Sequence, residues 1–183
     1  MDPVQKNVEI TKNWLLTKLH DPKKIENLNK RYTGIYNFIR KNLKKTDMIL
    51  DIGCRHGQFL ELLSNLDYRN LYGVDVSPEA IEIANKKKNV SAFVSDGHRL
   101  PFKSGRFDFI VCSHVLEHCG DPNVVISEMD RLLKKKGYIL IEVPIETNKE
   151  DHESGHFHFF RSLQDLYDIV ADFKIMMGEK DPN

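Results

Sequence analysis

The sequence predicts an α/β protein built on a doubly wound, mostly parallel sheet, with N-terminal helices before it and a shortened C-terminal strand region after it. Three observations carry this expectation. After Asp47, short apolar runs alternate with stretches of helical periodicity, and in such an alternation each helix returns the chain to start the next strand in the same direction. The runs are apolar at nearly every position, as in strands buried on both faces. The residues that end the first three of them, Asp51, Asp75 and Asp96, are all carboxylates, placed where a sheet of this kind gathers its ligand site.

The elements follow in order. From Val4 to Leu19 and again from Lys23 to Leu43 apolar residues recur at helical spacing, with Ile25, Leu28, Tyr32, Ile35, Phe38, Ile39 and Leu43 forming one stripe. Asp21-Pro22 suits the start of the second helix, an N-cap acceptor followed by a residue whose missing N–H is not needed there. Strands are expected over Met48 to Ile52, Leu71 to Val76, Ser91 to Ser95, Phe107 to Cys112 and Tyr138 to Val143. Helices are expected over Gln58 to Asn65, Pro78 to Lys88, Pro122 to Lys135 and Ser162 to Asp172, which leaves Phe173 to Lys180 for a last short strand. The runs Lys86-Lys87-Lys88 and Lys134-Lys135-Lys136 then fall at helix ends, where cations complement the dipole.

A chain of 183 residues with 27 basic and 27 acidic side chains is one domain with a full core and no global charge to drive nucleic-acid binding. No apolar run approaches the ~18 residues that span a bilayer, and Met1-Asp2-Pro3 opens neither a basic nor an apolar leader. The expectation is a cytoplasmic protein. Cys54, Cys112 and Cys119 make no C-x-x-C pair and read as reduced, buried thiols.

The strand ends carry the chemistry. Strand one runs into Asp51-Ile52-Gly53-Cys54-Arg55-His56-Gly57 and then a helix. Glycines in that turn permit backbone conformations closed to other residues and a close approach to a ligand, and the helix start offers free N–H groups. Asp51 would repel a pyrophosphate; it suits an ammonium group, or holds loop amides in place. An acid at the end of strand two, here Asp75, takes ribose hydroxyls, each charge-assisted hydrogen bond contributing ~1.5–3 kcal/mol. Asp96, followed by Gly97, suits an exocyclic amine such as that of adenine. Each acid alone could be a turn residue or a helix cap; three in succession on one rim argue for a ligand site.

Several segments together, in their order and spacing, carry a family likeness: Leu50-Asp51-Ile52-Gly53-Cys54 with Gly57; Gly73-Val74-Asp75-Val76-Ser77-Pro78; Asp96-Gly97-His98-Arg99-Leu100-Pro101-Phe102; Phe107 through His118; Arg131-Leu132-Leu133-Lys134 with Gly137; and Ile141-Glu142-Val143-Pro144. In these the chain resembles the class I S-adenosylmethionine-dependent methyltransferases, particularly their small-molecule and mixed-substrate branch. The resemblance implies a Rossmann-like methyltransferase fold and S-adenosylmethionine as cofactor. The Gly53, Cys54, Arg55, Gly57 loop would wrap the methionine part, Asp75 hold the ribose, Val76 pack on adenine, Asp96 and Gly97 read its edge, and Ser113-His114 face the methionine end and the substrate. The single domain, 1–183, would divide into a helical cap (1–46), a cofactor-binding core (47–145) and a substrate-side loop with the last helix and strand (146–183).

Two departures stand out. Arg55 replaces a glycine that the family usually has; its side chain either crowds the loop or pairs with the methionine carboxylate. The family sheet usually closes with an antiparallel pair, for which the C-terminus is short, so a strand is missing, short or supplied by a partner, and an open edge would favour a homodimer.

A sulfonium is already an activated methyl donor, so alignment in a dry site is the main demand on the protein, with a base needed only if the acceptor must lose a proton. His20, His56 and His98 read as surface or loop residues. His114, Glu117 and His118 spell H-x-x-E-H, which also matches an inverted zinc-protease motif; that motif requires a helix and a third ligand, and since the stretch follows a strand directly, no metal is expected. His152, His156 and His158 lie among acids after strand five. Either they belong to a polar surface loop whose Phe157, Phe159 and Phe160 pack on the core, or His156 or His158, opposite His114 or His118, orients or deprotonates the acceptor under a lid. Cys112-Ser113-His114 differs from the Asn/Asp-Pro-Pro-aromatic motif of base amino methylases in the family, which argues against nucleic acid and for a small-molecule acceptor at oxygen or carbon. A nicotinamide-dinucleotide oxidoreductase shares the expected fold, but residues 53 to 58 break its G-x-G-x-x-G pattern; a cofactor-binding module without turnover is the remaining alternative.

Overall fold

Asp108 shows how local chemistry starts the sheet. Its Oδ2 accepts from the Met48 N–H (2.9 Å) and from Lys134 Nζ (2.7 Å), tying together the entrances of three neighbouring strands. A computed structural model describes residues 7–10, 35–144, 156–170 and 174–177. Its elements are β1 (Asn7–Ile10), a helix α1 described over 35–42, β2 (Met48–Ile52), α2 (Gln58–Asn65), β3 (Asn70–Asp75), α3 (Pro78–Ala84) and β4 (Val90–Val94). These are followed by β5 (Phe107–Ser113), α4 (Pro122–Leu132), β6 (Leu133–Glu142), α5 (Leu163–Ile169) and β7 (Lys174–Met177).

The strands form one sheet in the order β4-β3-β2-β5-β6-β1-β7, and every described pairing is parallel. From β2 the chain winds outward through β3 to β4, then crosses back to β5 on the other side of β2. The order therefore reverses between β2 and β5, which opens a crevice at their carboxyl ends. Alternation along the strands feeds two cores. Leu50, Ile52, Ile110 and Cys112 face one side with Val125, Ile126 and Met129 of α4 and Leu166 of α5. Ile49, Phe109 and Val111 face the other with Ile39 of α1, Leu60 and Leu63 of α2 and Ile81 of α3. Apolar residues on both faces explain why these strands read as continuous hydrophobic runs.

Helix starts follow their caps. Ser77 accepts from the Ala80 N–H and Asp121 from the Asn123 N–H, each with proline next in sequence, and Ser162 precedes α5 in the same way. The expected core strands and helices are present, with shifted ends.

Four expectations are corrected. Asn7–Ile10 is a strand and not part of a helix from Val4 to Leu19, so the segment 1–46 is not a purely helical cap. β1 lies between β6 and β7, in register Asn7↔Tyr138 and Asn7↔Lys174. The unpaired edge of β6 offers a full row of donors and acceptors, and satisfying it outweighs a helical apolar period. Where a short, missing or partner-supplied strand was expected at the end of the sheet, two strands, β1 and β7, extend it beyond β6, both in parallel. The helix expected to end at Lys135 stops at Leu132, so Lys134 to Lys136 belong to β6. A register irregularity between Phe107 and Phe109 accommodates the added length, and Lys134 is drawn to Asp108. Finally, α3 ends at Ala84, capped by Asn85, whose side chain is bound to the β4 backbone at Ala92. The expected helical residues 11–34 and the loop 145–155, with His20 and His152, lie outside the described residues.

Candidate active site

At the carboxyl end of β2 the chain turns sharply over β3. The N–H groups of Gly53 and Cys54 both donate to the Val74 carbonyl (2.8 and 3.0 Å), and the Gly57 N–H closes the turn on the Cys54 carbonyl (2.8 Å). Gly53 (φ +75°) and Gly57 (φ +71°) adopt left-handed conformations that favour glycine. Their bare Cα atoms face the protein: a Cβ on Gly53 would strike Val115, and one on Gly57 would press on Ala84 of α3. These glycines thus let the loop lie flat against its neighbours. Arg55 also has a positive φ (+48°), and its side chain is exposed.

Asp75 ends β3 and organises this turn. Its Oδ2 accepts from the Arg55 N–H (2.9 Å) and its Oδ1 from the Ser77 N–H (3.0 Å). Each oxygen keeps a further lone pair on a half-buried residue beside the solvent. The next residue, Val76, is 67% exposed, an apolar surface at a strand tip. One strand further, Asp96 is exposed and accepts from the His98 N–H (3.0 Å), beside a buried Gly97. His98 itself bridges loops: its Nε2 accepts from the Asp121 N–H (3.2 Å).

The opposite wall of the crevice comes from β5 and β6. Ser113 donates its hydroxyl to the buried Glu142 (2.5 Å). His114 takes a left-handed backbone (φ +55°) and places Nδ1 3.0 Å from Oε1 of the buried Glu117. His118 and His156 meet edge to face, ring centroids 4.7 Å apart. The N–H groups of Phe157 and His158 donate to the Glu117 carbonyl (2.8 and 3.1 Å), which fastens the later segment to the turn after β5. His158 Nε2 lies 3.2 Å from the Gly120 carbonyl. Of the neighbouring phenylalanines only Phe160 is buried; Phe157 and Phe159 are exposed.

Asp51, Asp75, Glu117 and Glu142 make this rim acidic. The Cys54 thiol registers the field: burial first, then Asp51 and Asp75, push its pKa well above the usual thiol range. An acidic crevice repels a pyrophosphate and favours a ligand with cationic ammonium and sulfonium groups, while Val76 offers a face for a purine. The residues present therefore fit S-adenosylmethionine. Sequence reasoning missed Glu117 and Glu142 as buried carboxylates of this rim; an acid closing an apolar run, as in Ile139-Leu140-Ile141-Glu142, was the signal available.

Comparison with known proteins agrees. A family model described as a methyltransferase domain matches residues 50–141. An uncharacterised protein of Methanocaldococcus jannaschii is 35% identical over 106 residues, covering 57% of this chain and 40% of the relative. A demethylmenaquinone methyltransferase of Thermotoga maritima is 32% identical over 116 residues, 62% of this chain and 51% of that one. The crystal structure of an S-adenosylmethionine-dependent methyltransferase from Aquifex aeolicus superposes with a TM-score of 0.62 at 24% identity, covering 84% and 88% of the two chains. The chain spans about half the length of the curated relatives it matches. With the crevice, the acidic strand tips and the matched segment coinciding, the chain belongs to the family of methyltransferase domains.

Proposed function

We propose that this chain transfers a methyl group from S-adenosylmethionine to a small-molecule acceptor, at oxygen or carbon. The observation that carries the proposal is Asp75: a carboxylate at the tip of β3, held at both oxygens by backbone N–H groups of the flanking loops, with lone pairs left over for two vicinal hydroxyls. In this reading Asp75 holds the ribose and Val76 lies against the adenine, whose edge meets Asp96 and the Gly97 backbone. The turn through Gly53, Cys54, Arg55 and Gly57 surrounds the methionine moiety. Asp51 stabilises its ammonium group or the loop that meets it, and the exposed guanidinium of Arg55 is available to its carboxylate. Ser113, fixed by Glu142, borders the reacting end.

Bound there, the sulfonium supplies an activated methyl group; the protein's work is alignment and exclusion of water. His114, held by Glu117, and the facing pair His118 and His156 line the acceptor side and can orient an acceptor or take its proton, with His158 supporting their segment through Gly120. A relative named for demethylmenaquinone supports a small-molecule acceptor, as does the balanced charge of the chain. The test is transfer of labelled methyl from S-adenosylmethionine into fractions of a metabolite extract. Label in a low-molecular-mass product is expected; label appearing only in RNA, or binding of the cofactor with no transfer to any fraction, would overturn the proposal.

A further inference from the structure

Glu117 is completely buried, its Oε1 is engaged by His114, and its Oε2 finds no hydrogen-bond partner among the described residues. A buried carboxylate oxygen without a partner is costly, and native proteins match such groups with a donor or a cation. The side chains nearest to supplying the setting for a cation are His118 and His156. Ligand atoms of Glu117, His118 and His156 all lie within 4.8 Å of one another.

We propose that Glu117, His118 and His156 form a binding site for a divalent first-row transition-metal ion at the acceptor side of the crevice. Two imidazoles and one carboxylate suit a borderline ion such as zinc better than magnesium or calcium, which prefer all-oxygen shells. The two rings meet edge to face at 72°, so they converge without stacking. Bonds of about 2.0–2.2 Å to one ion require these ligand atoms to draw together from the 4.8 Å within which they lie. The surroundings are those of a built site. His114 fixes the Glu117 carboxylate from behind, the role outer partners play at metal centres. The N–H groups of Phe157 and His158 clamp the segment bearing His156 to the Glu117 carbonyl. His118 is exposed and His156 half-buried, so an ion can reach the group from solvent. The H-x-x-E-H motif is thereby used differently from a protease: its first histidine supports the carboxylate, and the third ligand comes from a distant segment.

The location assigns a role. Val115, between His114 and Leu116, packs on Gly53 of the turn that follows β2, so the three ligands border the same crevice as the strand-end acids. Three protein ligands leave room for an oxygen of the acceptor, which a metal would orient and make more acidic; His118 and His156 then act through the ion, in place of taking the proton themselves. That role rests on the methyl-transfer reading above, whereas the site itself rests on geometry alone.

The test uses the full chain stripped with a chelator, titrated with Co²⁺ followed by visible absorption and with Zn²⁺ followed by calorimetry. One ion per chain with ligand-field bands is expected, with affinity at least tenfold weaker in His118→Ala and in His156→Ala. Both histidines are partly exposed, so these variants keep the fold; Glu117→Gln, at a buried position, is paired with a melting curve. No binding, or binding equally tight in both histidine variants, would overturn the proposal. Metal binding with these losses in a chain that fails to bind S-adenosylmethionine would leave the metal site standing and remove only the cofactor reading.

Discussion

The three cysteines are single-residue probes of the interior. All are buried, outside any disulfide. Burial dominates the rise of each thiol pKa, reinforced at Cys54 by Asp51 and at Cys112 by Glu117; Cys119 is pushed up to about 11. At pH 8 the native chain therefore holds thiols, not thiolates, and iodoacetamide should modify less than one cysteine per folded molecule but all of them in denaturant. The pH dependence follows in sign. Above the unfolded thiol pKa of about 8.5, the unfolded chain releases protons that the folded chain retains until its own higher values are reached. Stability is thus undiminished by these groups below pH 8 and falls as pH rises toward 11. A urea midpoint lower at pH 10 than at pH 8 is expected; rapid labelling of the native chain at pH 8 would contradict the buried positions.

Among elements, β1 is the one that local sequence did not announce. Val8 and Ile10 are β-branched and fit a strand, yet their surroundings also satisfy a helical period, and only the edge of β6 decides between the two. A central strand has every N–H committed to one neighbour or the other, so Val8→Pro should remove a ladder bond and lower stability by about 1 kcal/mol or more. Amides at positions 7–10 should exchange slowly in the native chain; exchange at free-peptide rates would remove β1 from the sheet. By contrast, β2 through β5 and the helices between them were legible, because continuous apolar runs and helical stretches alternate there and each dictates one local outcome. The Lys134 to Lys136 segment was misread for the opposite reason: its strand conformation depends on Asp108, distant in sequence and adjacent only in the folded sheet.

For the molecule as a whole, parallel order fixes where function can sit. Strand tips that are far apart in sequence meet at the reversal between β2 and β5, and acids at those tips become one electrostatic surface. That much was readable from Asp51, Asp75 and Asp96. In the other half, His156 facing His118 was among the pairings the sequence offered, whereas the buried Glu117 and Glu142 beside them were not readable, because that arrangement arises where β5, β6 and the segment before α5 converge. The account depends on that rim being the seat of S-adenosylmethionine, and calorimetric titration of the native chain and of Asp75→Ala tests it most directly. Saturable binding of S-adenosylmethionine but not of NAD is predicted, at least tenfold weaker in Asp75→Ala, a loss of the size expected for one or two charge-assisted hydrogen bonds. Unchanged affinity in a folded Asp75→Ala, or preferential binding of NAD, would contradict it.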